Sequence, residues 1–200
     1  MKSHLFYQNR DRKPLLDRAE GIYMWDQSGK RYIDGSSGAM VSNIGHSNKN
    51  VLNAMKTQMD KSTFGYRLHF ENEPAEKLAA RVAELSPDGH EKVFFVSGGS
   101  EAVESAIKLA RQHAFAKGEL KKSKVISRSP SYHGATFGAL ALTSYAPLND
   151  PFDAMTMDMP HIAAPTCYLD RDNLTIEERG LKYAEMLKEK IIEEGPENIL

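Results

Sequence analysis

Two short stretches of this 200-residue chain carry groups suited to ligand chemistry: Ser97-Gly98-Gly99-Ser100 and, further on, Ser131-Tyr132-His133-Gly134. Glycines lack the Cβ that would hold a ligand off the backbone, and Ser97 and Ser100 add hydroxyl donors. A helix opening at such a turn leaves its first N–H groups without intrahelical partners and turns the positive end of its dipole toward them. The chemistry on offer is the seating of a phosphate. Tyr132 and His133 offer something else. An aromatic face beside a phosphate seat suits a flat heteroaromatic ring, with offset stacking adding about 0.5–1.5 kcal/mol beyond burial.

Neither stretch is a familiar phosphate motif. Gly98-Gly99-Ser100-Glu101 lacks the Lys-Ser/Thr ending of a P-loop, and no third glycine completes a dinucleotide fingerprint. A plain strand-to-helix turn with a serine N-cap and no ligand accounts for the spacing equally well, because short connections of this kind are common. Glu101 also suits a first helical turn unaided, a carboxylate there being favourable by roughly 0.3–1 kcal/mol.

The elements that must position these residues are an alternation of strands and helices. Val93–Val96 is a short β-branched and aromatic run that reads as a strand buried on both faces. From Glu101 on, Ala102, Val103, Ala106, Ile107 and Ala110 recur at helical spacing, with Glu104, Lys108 and Arg111 filling much of the rest. Lys124-Val-Ile-Ser-Arg128 reads as a second strand. That puts Tyr132 and His133 in a loop at the C-terminal end of a parallel strand, where open α/β sheets bind ligands.

Val96-Ser-Gly-Gly-Ser-Glu-Ala-Val-Glu-Ser-Ala-Ile-Lys-Leu-Ala-Arg111, followed by Ser131-Tyr-His-Gly-Ala-Thr-Phe-Gly138, resembles the class III (ω-amino acid type) pyridoxal-phosphate aminotransferases. Gly21–Asp26, Gly29–Asp34, Asn43–His46 and Asn72–Glu76 look like further landmarks of that family. The resemblance implies an α/β, fold type I (aspartate aminotransferase-like) architecture, mainly parallel sheet flanked by helices. Residues 1–46 would be an N-terminal arm and β-hairpin lobe, and 47–200 the first half of the large cofactor-binding domain. It implies pyridoxal 5'-phosphate, with Gly98, Gly99 and Ser100 on the phosphate, Tyr132 stacked on the pyridine ring and His133 flanking it. The loop carrying Met40 would line the substrate side, where many relatives place a bulky aromatic. The implied reaction moves an amino group from an amine or ω-amino acid to pyruvate or a similar 2-oxo acid, in a homodimer with residues 64–70 near its interface. Two rivals stay open: another fold type I enzyme such as a decarboxylase or aminomutase, and a truncated non-catalytic binding protein that keeps the phosphate turn.

No lysine present matches the family's Schiff-base lysine, and the aspartate that pairs with the pyridine nitrogen has no counterpart here either; both are expected beyond Leu200. Pro196-Glu-Asn-Ile-Leu200 reads as the start of a buried strand that stops after two apolar residues. The chain therefore reads as the N-terminal part of a larger enzyme, inactive by itself.

The remaining patterns are plainer. A net charge of −1, with 26 basic and 27 acidic residues interspersed, gives no electrostatic case for a nucleic-acid or membrane partner. Cys167 is the one cysteine, which excludes an internal disulfide and fits a reducing compartment, the cytoplasm. No apolar stretch approaches the roughly 20 residues that span a bilayer, and Met-Lys-Ser-His-Leu-Phe lacks a secretory core. Residues 1–20 read as a polar arm with Leu5, Phe6 and Tyr7 as its apolar cluster. Ile22–Trp25 and Arg31–Ile33 read as a hairpin, in which Trp25 packs. His46 reads as structural. Val51, Leu52, Met55 and Met59 mark one helix; Leu78, Val82 and Leu85 mark the buried face of another, opened by Asn72 and Pro74. Ala135–Thr143 reads as a helix of small residues and 149–170 as a long surface loop. Thr175-Ile-Glu-Glu178 has the form of a capping box for a helix ended by Gly195-Pro196.

Overall fold

The expected hairpin forms two strands of a three-stranded antiparallel sheet: β1 (Leu16–Glu20), β2 (Tyr23–Asp26) and β3 (Arg31–Ile33). These and the following details come from a computed structural model that describes residues 3–6, 11–166 and 168–200. Tyr7 and Cys167, singled out above, lie outside the described residues. The chain divides into two compact units, one ending at Glu91 and one running Lys92–Leu200.

In the first unit the hairpin turn is built on Asp26. Its Oδ1 accepts the Ser28 hydroxyl at 2.6 Å and the amides of Ser28 and Lys30 at 2.9 and 3.1 Å. Its Oδ2 accepts the Tyr32 hydroxyl at 2.8 Å. Strand β1 corrects the reading of residues 1–20 as an arm throughout. Arg18 lies opposite Trp25 in the ladder, with its guanidinium carbon 3.7 Å from the ring centroid. A cross-strand cation–π pair of this kind leaves no alternating apolar pattern to read.

After β3 comes α1 (Ser37–Met40), a single turn with non-helical dihedrals at Gly38 and Ala39. Helix α2 (Lys49–Lys61) is capped by the Asn48 side chain, and α3 (Glu73–Leu85) by Asn72, which accepts the Ala75 amide at 2.9 Å. The face of α3 read as buried is a correction, Leu85 being 70% exposed, and the apolar stripe of α2 is exposed as well, Met55 by 55%. Helical periodicity marks a face that some surface must cover, and the described residues of this unit leave it exposed. The aromatic stretch 64–70 forms neither helix nor strand, and Phe64 and Phe70 are exposed.

The second unit is the α/β part. Helix α4 (Gly99–Ala116) is followed by β4 (Ser127–Ser129), α5 (Phe137–Leu142), the single turn α6 (Ala146–Asn149), β5 (His161–Ala163) and α7 (Ile176–Glu194). Strands β4 and β5 run parallel, and Lys124 bridges Ile199 in parallel on its own account. The run 124–128 thus holds an isolated bridge at Lys124, with the continuous ladder slightly later, and Ile199 supplies the partner of that bridge. Strand β5 corrects the reading of 149–170 as loop throughout, since three residues are too few to show a period. Val93–Val96 is a further correction: no strand forms there, and Phe94 is 59% exposed. A continuous apolar run implies neighbours on both edges, and it cannot provide them.

The core of this unit is small. Ala141, Leu142 and Met159 are buried, with Val103, Ile107 and Val125 packed against them. Small residues let α5 sink until Gly138–Leu142 are all buried. Helix α7 carries the expected capping box: the Glu178 amide reaches Thr175 Oγ1 at 3.2 Å, and the Thr175 amide reaches the Glu178 carboxylate at 2.7 Å. Gly195, at a φ of 82°, closes it.

Candidate functional site

The site is built from the start of α4 and the loop that follows β4, both in the second unit. Gly98 is fully extended, and α4 begins at Gly99. A Cβ placed on Gly98 or Gly99 would meet no atom within 4 Å, so the space in front of the helix start is open. Among the described residues, no acceptor meets the amides of Gly98, Gly99 or Ser100. The Ser97 amide, by contrast, is taken by the Glu101 carboxylate at 2.7 Å. Glu101 is therefore a local cap beside the turn. The Ser100 hydroxyl accepts the Ala135 amide at 3.1 Å and keeps its own proton to donate.

The loop after β4 is fastened at its far end by Thr143, which is 1% exposed. Thr143 Oγ1 accepts the amides of His133 and Gly134 at 2.9 and 3.2 Å and lies 3.0 Å from the Gly134 carbonyl oxygen, to which it can donate. Ser131 and Ser144 exchange backbone hydrogen bonds of 3.0 Å across the base of the loop. Tyr132 projects outward, 64% exposed. His133 is half-buried, and its Nε2 is buried without a hydrogen-bond partner among the described residues.

Two ties draw this loop onto α4, and they repeat at a spacing of four residues on both partners. At the first, Ser100 Oγ would lie 2.6 Å from a Cβ on Gly134, whose φ of 143° suits glycine anyway. At the second, Glu104 Oε1 accepts the Thr136 hydroxyl at 2.7 Å and the amides of Gly138 and Ala139 at 2.9 and 3.1 Å. Ser100 and Glu104 share one helix face. The Thr136 hydroxyl above all, then the Ala139 and Gly138 amides, hold the Glu104 carboxyl below its usual range, against the opposing effect of burial.

The residues picked from sequence are thus brought together in part. Gly98, Gly99 and Ser100 adjoin the Tyr132–His133 loop through Ser100. Met40 belongs to the first unit and is exposed, with a φ of 62°. His46 is structural, as read: its Nε2 sits 2.7 Å from Asp34 Oδ2, and its backbone exchanges hydrogen bonds with Gly21. Lys124 is paired with Glu194 at 2.6 Å. Sequence reasoning missed Glu104, placed there among the polar filling of a helix, and Thr143, read only as the end of one. The signal for Glu104 was the matched spacing, Ser100 to Glu104 and Gly134 to Gly138. Among the described residues, no group of three or more His, Cys, Asp or Glu side chains could hold a metal ion, and no helix is long and apolar enough to cross a membrane.

What this arrangement can do is grip a dianion with unpaired amides and cover an attached ring. Comparison with known proteins gives the family. The family model described as aminotransferase class-III matches residues 6–196. An uncharacterized aminotransferase, YodT, of Bacillus subtilis is 44% identical over 155 residues, covering 78% of this chain and 35% of that protein. The putrescine–pyruvate aminotransferase of Pseudomonas aeruginosa is 33% identical over 187 residues, 92% of this chain and 41% of that one. A thermostable (S)-enantioselective omega-transaminase from Thermomicrobium roseum superposes with a TM-score of 0.90 at 35% identity, over 98% of this chain and 45% of the other. The chain spans less than half the length of these proteins.

Proposed function

The chain belongs to the class-III aminotransferases and has the α/β, fold type I architecture of the ω-transaminases, and from that membership we propose that the protein carrying it moves an amino group from an amine or ω-amino acid to pyruvate or a similar 2-oxo acid. The observation that carries the reading is the set of acceptor-free amides at Gly98, Gly99 and Ser100, open in front and tied through Ser100 to the Tyr132–His133 loop. Relatives named as aminotransferases favour it over a decarboxylase, an aminomutase or a non-catalytic protein.

These residues fit pyridoxal 5'-phosphate. The amides of Gly98, Gly99 and Ser100 and the Ser100 hydroxyl would hold its phosphate, with charge-assisted hydrogen bonds worth about 1.5–3 kcal/mol each. Tyr132 would cover the ring and keep water from that face. His133 would flank it. When bound, the cofactor supplies the electron sink for the carbanion left after proton loss from the amine-bearing carbon. A phosphate held this firmly keeps the group in place while its covalent partner is exchanged. The Schiff-base lysine and the aspartate on the pyridine nitrogen are proposed to lie beyond Leu200. By resemblance alone, Met40 is proposed to line the substrate side. A homodimer is proposed on the same ground, with residues 64–70 near its interface, and a cytoplasmic location from the single cysteine, Cys167. So is the division into a lobe, 1–46, and the first half of the large domain, 47–200.

The test is a half-reaction cycle on the full-length protein. Pyridoxal phosphate is expected to bind with a visible spectrum, lose it on addition of an ω-amine and regain it with pyruvate, alanine forming in equal amount. Absence of binding, or binding with no amino acid formed from pyruvate or any other small 2-oxo acid, overturns the proposal.

A further inference from the structure

We infer that Glu104 is a positioning residue of this site, fixing the loop that carries Tyr132 and His133 against the helix start that carries Gly99 and Ser100. The inference rests on the cofactor reading above. A phosphate and an aromatic ring joined in one molecule have a set separation, so the groups that grip the one and cover the other must hold a matching separation. Misplacement by about 1 Å can lose on the order of a hundredfold in function.

Three features single out Glu104. First, α5 has no cap of its own: its N-cap residue, Thr136, makes no side-chain capping bond. The first amides of that helix would have no partner, and Glu104, on a different helix, takes two of them together with the Thr136 hydroxyl. Second, all three bonds converge on one oxygen, Oε1, so the carboxylate locates its partners in more than one direction. Third, there is no slack. Glu104 Cδ lies 2.8 Å from where a Cβ on Gly138 would be, and Ser100 Oγ stands in the same relation to Gly134 one helical turn earlier. Neighbouring polar residues lack these properties: Glu101 takes the local Ser97 amide, and Arg111 reaches the carbonyls of Glu119 and Lys122 on the far side of the helix end. Glu104 touches neither the proposed phosphate seat nor the ring; it acts through Thr136, Gly138 and Ala139.

The test compares two ligands, pyridoxal phosphate and inorganic phosphate, on the full-length protein with Glu104→Ala, Glu104→Gln and Thr136→Val. Inorganic phosphate reports the seat alone; pyridoxal phosphate reports seat and ring cover together, and its induced circular dichroism reports ring orientation. Glu104→Ala is expected to weaken pyridoxal phosphate about tenfold or more, the scale of one or two lost charge-assisted bonds. It should also collapse the induced dichroism while inorganic phosphate binding stays within about threefold. Glu104→Gln, which keeps the accepting oxygen, is expected to restore both signals. Wild-type affinity and dichroism in Glu104→Ala overturn the inference, and so does an equal loss for both ligands, the mark of general loosening. Should Glu104→Ala fail to fold, Thr136→Val decides: intermediate affinity and dichroism support the role, and wild-type values overturn it. A wild-type protein that binds no pyridoxal phosphate overturns the cofactor reading and this inference with it, whereas a binding wild type with unaffected variants overturns this inference alone.

Discussion

The Glu104 carboxylate lies against Gly138, with Oε1 accepting the glycine amide at 2.9 Å and Cδ 2.8 Å from the place a Cβ would take. Gly138→Ala therefore displaces the carboxylate. Because that group ends a flexible side chain, it can move, but only by giving up its bonds to Thr136, Gly138 and Ala139. The expected loss is about 1–3 kcal/mol in denaturant unfolding. Adding Glu104→Ala removes the clash along with the bonds. The double variant should then be more stable than the sum of the single losses predicts, by more than about 0.5 kcal/mol. Simple additivity would show that the two residues are not coupled.

Gly134 presents a harder case. Its φ of 143° is one that side chains rarely adopt, and an added Cβ would stand 2.6 Å from Ser100 Oγ and 3.0 Å from Ser100 Cα. The second of these atoms is backbone and cannot swing aside. Gly134→Ala is expected to destabilise the protein more than Gly138→Ala does, by more than the roughly 1–3 kcal/mol of ordinary overpacking. It should also weaken pyridoxal phosphate binding, since Tyr132 and His133 ride on the same loop. A variant as stable as wild type would refute the close approach.

How far the sequence discloses all this depends on the kind of interaction involved. Thr175 and Glu178, Asn72 and Pro74, and the turn around Gly29 are local devices, and each is found where its pattern puts it. The paired motifs around Gly99 and Tyr132 are legible by residue type. Strand β1 is not, because Arg18 over Trp25 is a contact across a ladder rather than a pattern along a strand. Glu104 is hidden for a similar reason. A carboxylate that caps a distant helix and one that faces water look alike in a single sequence. Leu78, Val82 and Leu85 illustrate the converse: their spacing predicts a face correctly and says nothing of what covers it.

Acid should loosen the hairpin sheet through Asp26. The Ser28 hydroxyl first, then the Tyr32 hydroxyl and the Lys30 and Ser28 amides, lower its pKa to about 2. An unfolded chain binds that proton more readily, so the stabilisation is present above the ordinary carboxylate range and fades as pH falls from about 4 toward about 2. Trp25, the one tryptophan, lies in the strand that ends at Asp26 and reports on the sheet by fluorescence. Asp26→Asn is expected to flatten this acid limb of the unfolding midpoint; an unchanged slope would assign it to other groups.

Thr143 offers the sharpest separation of shape from hydrogen bonding. Its hydroxyl is buried, accepts the His133 and Gly134 amides, and has one proton to give to the carbonyl of Gly134 or of Ala139. Thr143→Val keeps the volume and removes every one of these bonds, which leaves two amides unpaired where little water reaches. Unpaired buried groups cost about 1–3 kcal/mol each. Thr143→Ser keeps the hydroxyl and loses one methyl, worth about 1 kcal/mol. Serine should therefore outrank valine both in unfolding free energy and in affinity for pyridoxal phosphate, although valine fills the site better. If valine were the better tolerated, packing of α5 rather than suspension of the His133–Gly134 backbone would be what this residue provides.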